Sequence, residues 1–279
     1  MKILKNVFYK KIYRSLIKII ILYFLLPHIA MATPAYLAIV IDDIGYRPHQ
    51  DNAIYQLSNK ISVAIIPSAP YASQRNKEAY HQGRDILIHL PMETIHKNKL
   101  DDGALTLGMN QQQVNQTISD SLIKVPHAIG LNNHMGSAAT ANIELMQKLM
   151  FTLKQHNLSF LDSRTNANSV ASKIAKNMGI KTLSRHIFLD NENTFSAVQT
   201  QFKKAIQRAQ KYGVAIVIGH PRKNTIAVLQ QELKYLPKNI QLINIGALWK
   251  LTKTKATTKP FNILFQNKNI DSYSLSQKL

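Results

Sequence analysis

Residues 36–45 read Tyr-Leu-Ala-Ile-Val-Ile-Asp-Asp-Ile-Gly, an apolar run that ends at two adjacent carboxylates. A continuous apolar run, as opposed to an alternating one, is typical of a strand buried on both faces of a parallel sheet. The carboxyl ends of such strands share one rim, where active sites of α/β folds form. We therefore predict a strand that carries Asp42 and Asp43 to a functional rim. A solvated turn or a helix cap is the alternative for the acidic pair.

Similar apolar runs recur along the chain and alternate with amphipathic stretches. Strands are predicted at 36–41, 62–66, 85–88, 159–161, 214–218 and 240–244, and helices at 71–82, 110–123, 142–156, 194–212 and 225–235. Asn110 and Gln113 resemble a capping box at the start of one helix. This alternation indicates a parallel α/β architecture with six or seven strands, close to the number that a barrel requires.

The two ends of the chain differ from the middle. Residues 1–32 combine six basic residues, a short apolar run and an Ala-Met-Ala site, as a secretory signal peptide does, and we predict cleavage near Ala32. An uncleaved N-terminal anchor is the alternative. Residues 33–250 then form one domain, and the polar residues 251–279 form a flexible tail. The expected location is periplasmic or secreted, without stable membrane insertion after cleavage.

Composition excludes several kinds of site and partner. The absence of cysteine rules out thiolate metal sites and a disulfide framework. The formal charge of +20 falls to +14 without the six basic leader residues, which could favour an anionic partner. The basic residues are scattered, however, and we expect a solvated surface and no nucleic-acid partner. No protein partner can be deduced, and glycine-rich phosphate loops, nucleophile elbows and dinucleotide motifs are lacking.

Five polar residues follow four of the apolar runs: Asp42, Asp43, His89, Asp162 and His220. If the runs are parallel strands, these side chains converge on one cleft. Two histidines and one aspartate suit Zn²⁺ or a similar divalent metal with positions open for water, which is hydrolytic chemistry. His89 precedes Pro91 by two residues, so we expect the regular strand ladder to stop there.

Other residues are candidates for the metal or for supporting roles. His134 lies in 130–137, predicted to be a glycine- and asparagine-rich loop, and is a candidate metal ligand; a plain strand–turn–helix connection is the alternative for this segment. Glu93 is a further candidate, as a ligand, as the partner of a ligand or as a surface residue. Supporting or substrate-binding roles are expected for Asn132, Asn133, Asp162 and Arg164, and supporting roles for Arg185, His186 and Asp190.

Five segments together resemble the divergent polysaccharide deacetylases, a branch of the carbohydrate esterases: 41–45, 89–93, 130–137, 160–164 and 219–221. The resemblance covers residues 35–250 and implies a single-domain α/β fold, a deformed (β/α)7-type barrel with mainly parallel strands. It implies Asp42 as general base and Asp43 as metal ligand. The family's second motif supplies two histidines four residues apart, and His89 with Glu93 departs from it.

The resemblance also implies the remaining roles and the reaction. His89 and Asp43 bind the metal, with His134 as third ligand and Glu93 as the alternative, and His220 donates a proton to the leaving group. Metal-bound water would remove an acetyl group from a cell-envelope glycan. Two other functions stay open: a metal-dependent amidase acting on another cell-wall bond, and a non-catalytic periplasmic glycan-binding or scaffold protein that retains the cleft.

Overall fold

The computed structural model describes residues 34–96 and 99–252, in which strands and helices alternate. The strands are β1 (Ala35–Ile44), β2 (Ser62–Ile65), β3 (Ile86–Met92), β4 (Gly130–Met135), β5 (Ser159–Asp162), β6 (Thr182–Ser184), β7 (Ile187–Phe188), β8 (Val214–Gly219) and β9 (Ile240–Ile243). The α-helices are α1 (Pro48–Tyr55), α2 (Ala72–His81), α3 (Gln111–Lys124), α4 (Ile143–Gln155), α5 (Ala171–Asn177), α6 (Phe195–Tyr212), α7 (Lys223–Glu232) and α8 (Ile245–Leu251). Short 3₁₀ helices cover Ala139–Ala141 and Leu233–Tyr235.

The predictions for the chain ends fall mostly outside these ranges. The leader of residues 1–32, its cleavage site and the tail beyond Thr252 lie outside the described residues. The start of the predicted tail, at 251, is the last residue of α8. In the described ranges, none of the helices has the length and apolar character needed to cross a membrane.

The strands form one curved parallel sheet. Its order is β6-β5-β4-β3-β2-β1-β8-β7, and β9 pairs with the first part of β1. Each of these strand pairs is parallel, so every strand points its carboxyl end to the same rim. This confirms the predicted single-domain α/β fold, a deformed (β/α)7-type barrel. The predicted capping box of α3 is also present, with Asn110 and Gln113 bonded reciprocally.

Apolar side chains fill the two sides of the curved sheet. The larger cluster lies between the sheet and the surrounding helices. A smaller cluster fills the concave side and includes Val40, Leu87 and Ile218 with Trp249 of α8. Trp249 packs against the start of β4, where a Cβ added to Gly130 would lie 2.6 Å from the indole ring. The concave side is therefore closed by apolar groups at the amino ends of the strands, and the opposite rim is left for polar ones.

Two predictions about strands were wrong. The first is that the β3 ladder stops before Pro91; it continues to Met92 beside β4. Proline is tolerated because its nitrogen faces the side on which the pairing with β2 has already ended, at Ile65. The Pro91 carbonyl on that side accepts a hydrogen bond from Leu105 N at 2.8 Å.

The second wrong prediction is the loop at 130–137; the alternative, a strand–turn–helix connection, agrees with the structure. Gly130–Met135 is strand β4 between β3 and β5. Its polar residues hid the usual apolar pattern, because Asn132 and Asn133 are buried yet satisfied by hydrogen bonds. The short strands β6 and β7 and the helices α1, α5 and α8 were also not predicted.

The barrel has a seam between β6 and β7, which occupy the two ends of the strand order. Arg185 and His186 link these strands in sequence. The backbone N–H of Arg185 donates to the carbonyl oxygen of Asp162 in β5, and the backbone N–H of His186 donates to the carbonyl oxygen of Ile216 in β8. His186 Nδ1 in turn accepts from Ile216 N at 2.9 Å. Burial, reinforced by Arg208, lowers the pKa of His186 to about 4, which keeps the imidazole neutral as this acceptor role requires.

We expect His186 to contribute a pH-dependent part of the stability. Its folded-state pKa of about 4 lies below its ordinary value of 6.5, so the contribution is complete above pH 6.5 and is lost as the pH falls through 4. In His186→Asn, an amide oxygen replaces Nδ1 and cannot titrate. Between pH 7.5 and 4.5 the wild-type free energy of unfolding in urea should fall by about 1 kcal/mol more than that of the variant, after allowance for partial solvent exposure. Identical pH dependence in the two proteins would contradict this role.

Candidate functional site

The polar site residues follow inward-facing apolar residues on the same strands of the barrel. Side chains alternate along a strand, so the residue two positions after an inward apolar residue also faces inward. Val40 is followed in this way by Asp42, Leu87 by His89, and Ile218 by His220. Parallel pairing aligns these positions at the carboxyl rim, which therefore carries the polar residues above the apolar layer.

Asp43 reaches the same site through an irregularity in β1. In a regular strand it would face away from Asp42. Between Ile41 and Ile44, however, β1 advances three residues while β2 advances two, and Asp43 has a φ of 57°. Aspartate is among the residues that tolerate this left-handed conformation. The extra residue brings both carboxylates to His89, with Asp43 on the cleft side and Asp42 on the buried side.

Asp43, His89 and His134 form a compact triad. Asp43 Oδ1 lies 3.3 Å from His89 Nε2 and 3.2 Å from His134 Nδ1, and the two nitrogens are 3.1 Å apart. Ligands about 2.0–2.1 Å from a tetrahedral Zn²⁺ are about 3.3 Å from one another, so the three atoms match one face of such a tetrahedron. Asp43 Oδ1 is also buried without a hydrogen-bond partner in the described parts of the chain. The triad therefore fits a divalent metal.

Asn132 connects the triad with Asp42. Its side chain is fully buried; Oδ1 lies 2.9 Å from His89 Nδ1, and Nδ2 donates to Asp42 Oδ1 at 2.8 Å. An amide oxygen only accepts, so this contact assigns the imidazole proton to Nδ1 and leaves Nε2 free to bind a metal. Asp42 Oδ2 lies 3.6 Å from the same Nε2. Asp42 thus borders the triad at its buried side.

His220 faces the triad from β8 and is held by Asp190. The two oxygens of Asp190 accept from His220 Nδ1 and from the His220 backbone N–H, each at 2.8 Å. Thr225 donates to the same carboxylate at 2.7 Å. His220 Nε2 is left pointing into the cleft, 4.0 Å from Asp43 Oδ2. This geometry gives Asp190 the supporting position that the sequence suggested.

The two adjacent carboxylates have opposite electrostatic environments. Burial raises the pKa of Asp42 by more than the imidazoles of His89 and His220 lower it. Burial also acts to raise the pKa of Asp43, but His134 and His89 outweigh it and hold that pKa well below its usual range. Asp43 therefore remains ionised, as a metal ligand must be.

Glu93 lies apart from the triad. Its Oε2 accepts the Leu107 N–H at 2.7 Å, and its backbone pairs with Leu105. In the described ranges, the His, Asp and Glu groups that meet closely enough to hold a metal are those of the triad. Between the two candidates for third ligand, the geometry favours His134.

The four predicted supporting residues act mainly on the protein itself. Asn133 Oδ1 accepts the Ser163 N–H, and its amide is buried like that of Asn132. Asp162 accepts the backbone N–H of Arg164 and the hydroxyl of Ser169, which shapes the turn after β5. These contacts are all within the protein, and the predicted supporting or substrate-binding roles stay predictions.

Several residues at the cleft were missed by the sequence analysis. The cleft, about 240 Å³ in volume, is lined by Tyr46, Arg47, Asp101 and Arg222 as well as by Asp43, His134 and His220. The Tyr46 hydroxyl donates to Asp101 Oδ1 at 2.7 Å. Arg47 and Arg222 closely follow Asp43 and His220 in sequence, and this proximity could have indicated that they lie at the cleft. Asp101 lies far from the strand ends, and nothing in the sequence indicated it.

Comparison with known proteins shows the family to which the chain belongs. An uncharacterised protein of Haemophilus influenzae is 56% identical over 229 residues, covering 82% of this chain and 81% of the relative. The crystal structure of uncharacterised protein ATU2773 from Agrobacterium tumefaciens matches with a TM-score of 0.73 at 21% identity, over 78% of this chain and 91% of that chain. The peptidoglycan deacetylase PdaC from Bacillus subtilis shares the fold, with a TM-score of 0.52 at 11% identity, over 78% and 92%. The family model for divergent polysaccharide deacetylases matches residues 39–249, and the chain belongs to that family.

Proposed function

We propose that this protein is an exported, metal-dependent deacetylase that removes acetyl groups from a cell-envelope glycan. The observation that carries the proposal is the Asp43–His89–His134 triad, with Asp42 on one side and His220 on the other. The family supports acetylated polysaccharide as the substrate class, and the leader of residues 1–32 supports export. Zn²⁺ is the metal that best suits this donor set.

The residues around the triad suit two opposite proton-transfer tasks. A divalent cation at the triad would supply Lewis acidity towards a carbonyl oxygen and towards water. Asp42 Oδ2 lies beside His89 Nε2, where it can accept a proton from a water in the cleft. His220 Nε2 faces the cleft and can deliver a proton to the departing amine or alkoxide, while Asp190 orients its ring.

The size of the cleft supports a polymeric substrate. Pockets that enclose a whole small molecule are usually about 300–1,000 Å³. This cleft is about 240 Å³ and is open, so it suits a substituent of a larger molecule that stays outside. The structural neighbour PdaC is named as a peptidoglycan deacetylase, which makes cell-wall glycan the first substrate to test.

Metal analysis followed by an acetate-release assay separates the open functions. Purified protein should contain about one divalent metal ion per chain and release acetate from acetylated cell-wall glycans. Release of amines from peptide fragments without acetate would favour the amidase. Glycan binding without metal or turnover would favour the non-catalytic protein and overturn the proposal.

Asp43→Asn should remove the metal. Asparagine tolerates the left-handed backbone at position 43, so the fold should persist, but a neutral amide is a much poorer ligand than a carboxylate. We expect at least about a 100-fold loss of Zn²⁺ affinity, measured by competition with a chromophoric chelator, and loss of acetate release. Asp102→Asn, at an exposed position, is the charge-matched control. Full metal content and activity in Asp43→Asn would refute the assignment.

Asp42→Asn should separate metal binding from turnover. The asparagine oxygen can still accept from Asn132 Nδ2, so the site should remain assembled. We expect Zn²⁺ affinity within about tenfold of wild type, and a fall in kcat of about 10²–10⁴-fold, which is the usual contribution of a general base. An unchanged kcat would exclude Asp42 as the base.

A further inference from the structure

His134 uses one ring nitrogen towards the triad and leaves the other facing a carboxylate. Its Nδ1 lies against Asp43 and His89, while its Nε2 lies 3.6 Å from Asp101 Oδ2. That separation is an ion-pair distance, longer than a hydrogen bond. The second oxygen of Asp101 accepts from the Tyr46 hydroxyl at 2.7 Å, which restrains the carboxylate beside Nε2 of His134.

The two histidines of the triad require opposite tautomers. His89 Nδ1 contacts the amide oxygen of Asn132, so its proton lies on Nδ1 and Nε2 is the ligand atom. His134 presents Nδ1, so its proton must lie on Nε2 when a metal is bound. Nδ1 protonation of His134 would block the metal. In the metal-free site, Asp43 Oδ1 and His89 Nε2 can each accept a proton from His134 Nδ1. The negative charge of Asp101 beside Nε2 opposes this and favours the tautomer that binds a metal.

The segment that carries Asp101 is fixed to the barrel rim. Leu105 is buried, donates to Pro91 O at 2.8 Å and accepts from Glu93 N at 2.9 Å. Glu93 Oε2 binds the Leu107 N–H as well. Glu93, considered from the sequence as a direct ligand, therefore anchors the segment that places Asp101 beside His134.

We propose that Asp101, restrained by Tyr46, is a positioning residue that selects the Nε2–H tautomer of His134 and so presents Nδ1 to the metal. The proposal rests on the metal site of the proposed function. It concerns the tautomer and orientation of an imidazole, which exist before any metal binds. Asp101 therefore acts on the site without belonging to the triad itself.

The test uses the purified full-length protein in the variants Asp101→Asn, Asp101→Ala and Tyr46→Phe. Asp102→Asn, at the neighbouring exposed position, removes the same charge from the same segment and is the matched control. Long-range ¹H–¹⁵N spectra of metal-free protein with ¹⁵N-labelled histidine, recorded at pH 8, report the tautomer of His134. The His134 signals are those that disappear in His134→Gln. Competition titration with Zn²⁺ alone gives the affinity.

Wild type and Asp102→Asn should show the same share of the Nε2–H tautomer and equal Zn²⁺ affinity. Both Asp101 variants should shift His134 towards the Nδ1–H tautomer, which donates to Asp43 or His89, and weaken Zn²⁺ binding by about 10–100-fold. Tyr46→Phe should change both in the same direction by less. A wild-type tautomer and affinity in Asp101→Asn and Asp101→Ala would overturn the proposal. If wild type bound no metal, the proposed function would fail, while the tautomer spectra would still decide the role of Asp101.

Discussion

One additional residue in β1 sets the geometry of the whole site. β1 pairs with β2 and β8 on its two sides, so the positions of Ile41 and Ile44 are fixed by the sheet. The chain between them must accommodate an extra residue and does so with a positive φ at Asp43. Such strain persists only where the surroundings over-determine it, as the flanking strands do here. The adjacent carboxylates of Asp42 and Asp43 can then both approach His89, from opposite sides.

The same conformation recurs at neighbouring strand ends. Met135, the last residue of β4, has a φ of 53°, and Arg164, two residues after β5, has a φ of 49°. In each case the backbone leaves the strand direction at the carboxyl rim. His134 and Asp162 are therefore held at the ends of rigid strands, and not on loops. The buried side-chain amide of Asn132 adds to this rigidity, because it bonds to both Asp42 and His89. A buried polar group left without its hydrogen bond would destabilise the fold.

The sequence was most informative where an apolar run stopped at a polar residue. Asp42, His89 and His220 end such runs, and parallel topology alone brings them to one rim. It was least informative where polar residues are themselves buried. β4 was taken for a loop because Asn132, Asn133 and His134 replace its apolar pattern. Asp101 was missed since its place depends on contacts between Leu105 and β3, which no local pattern records. Family resemblance supplied the residue roles, which spacing alone left open.

The seam leaves β7 more weakly held than the centre of the sheet. β1 is hydrogen-bonded on both sides along most of its length, whereas β7 contributes two residue pairs to β8. Backbone amides of β1 should exchange with solvent only on global unfolding, and those around β7 by local opening. Arg185 stacks on Phe188, 3.6 Å from its ring centroid, and Phe188 in turn faces His220. Asp42 and Asp43 are thus carried by the strand whose backbone amides should exchange most slowly. The segment that contains β7 and packs against His220 should instead open locally, without unfolding of the rest of the barrel.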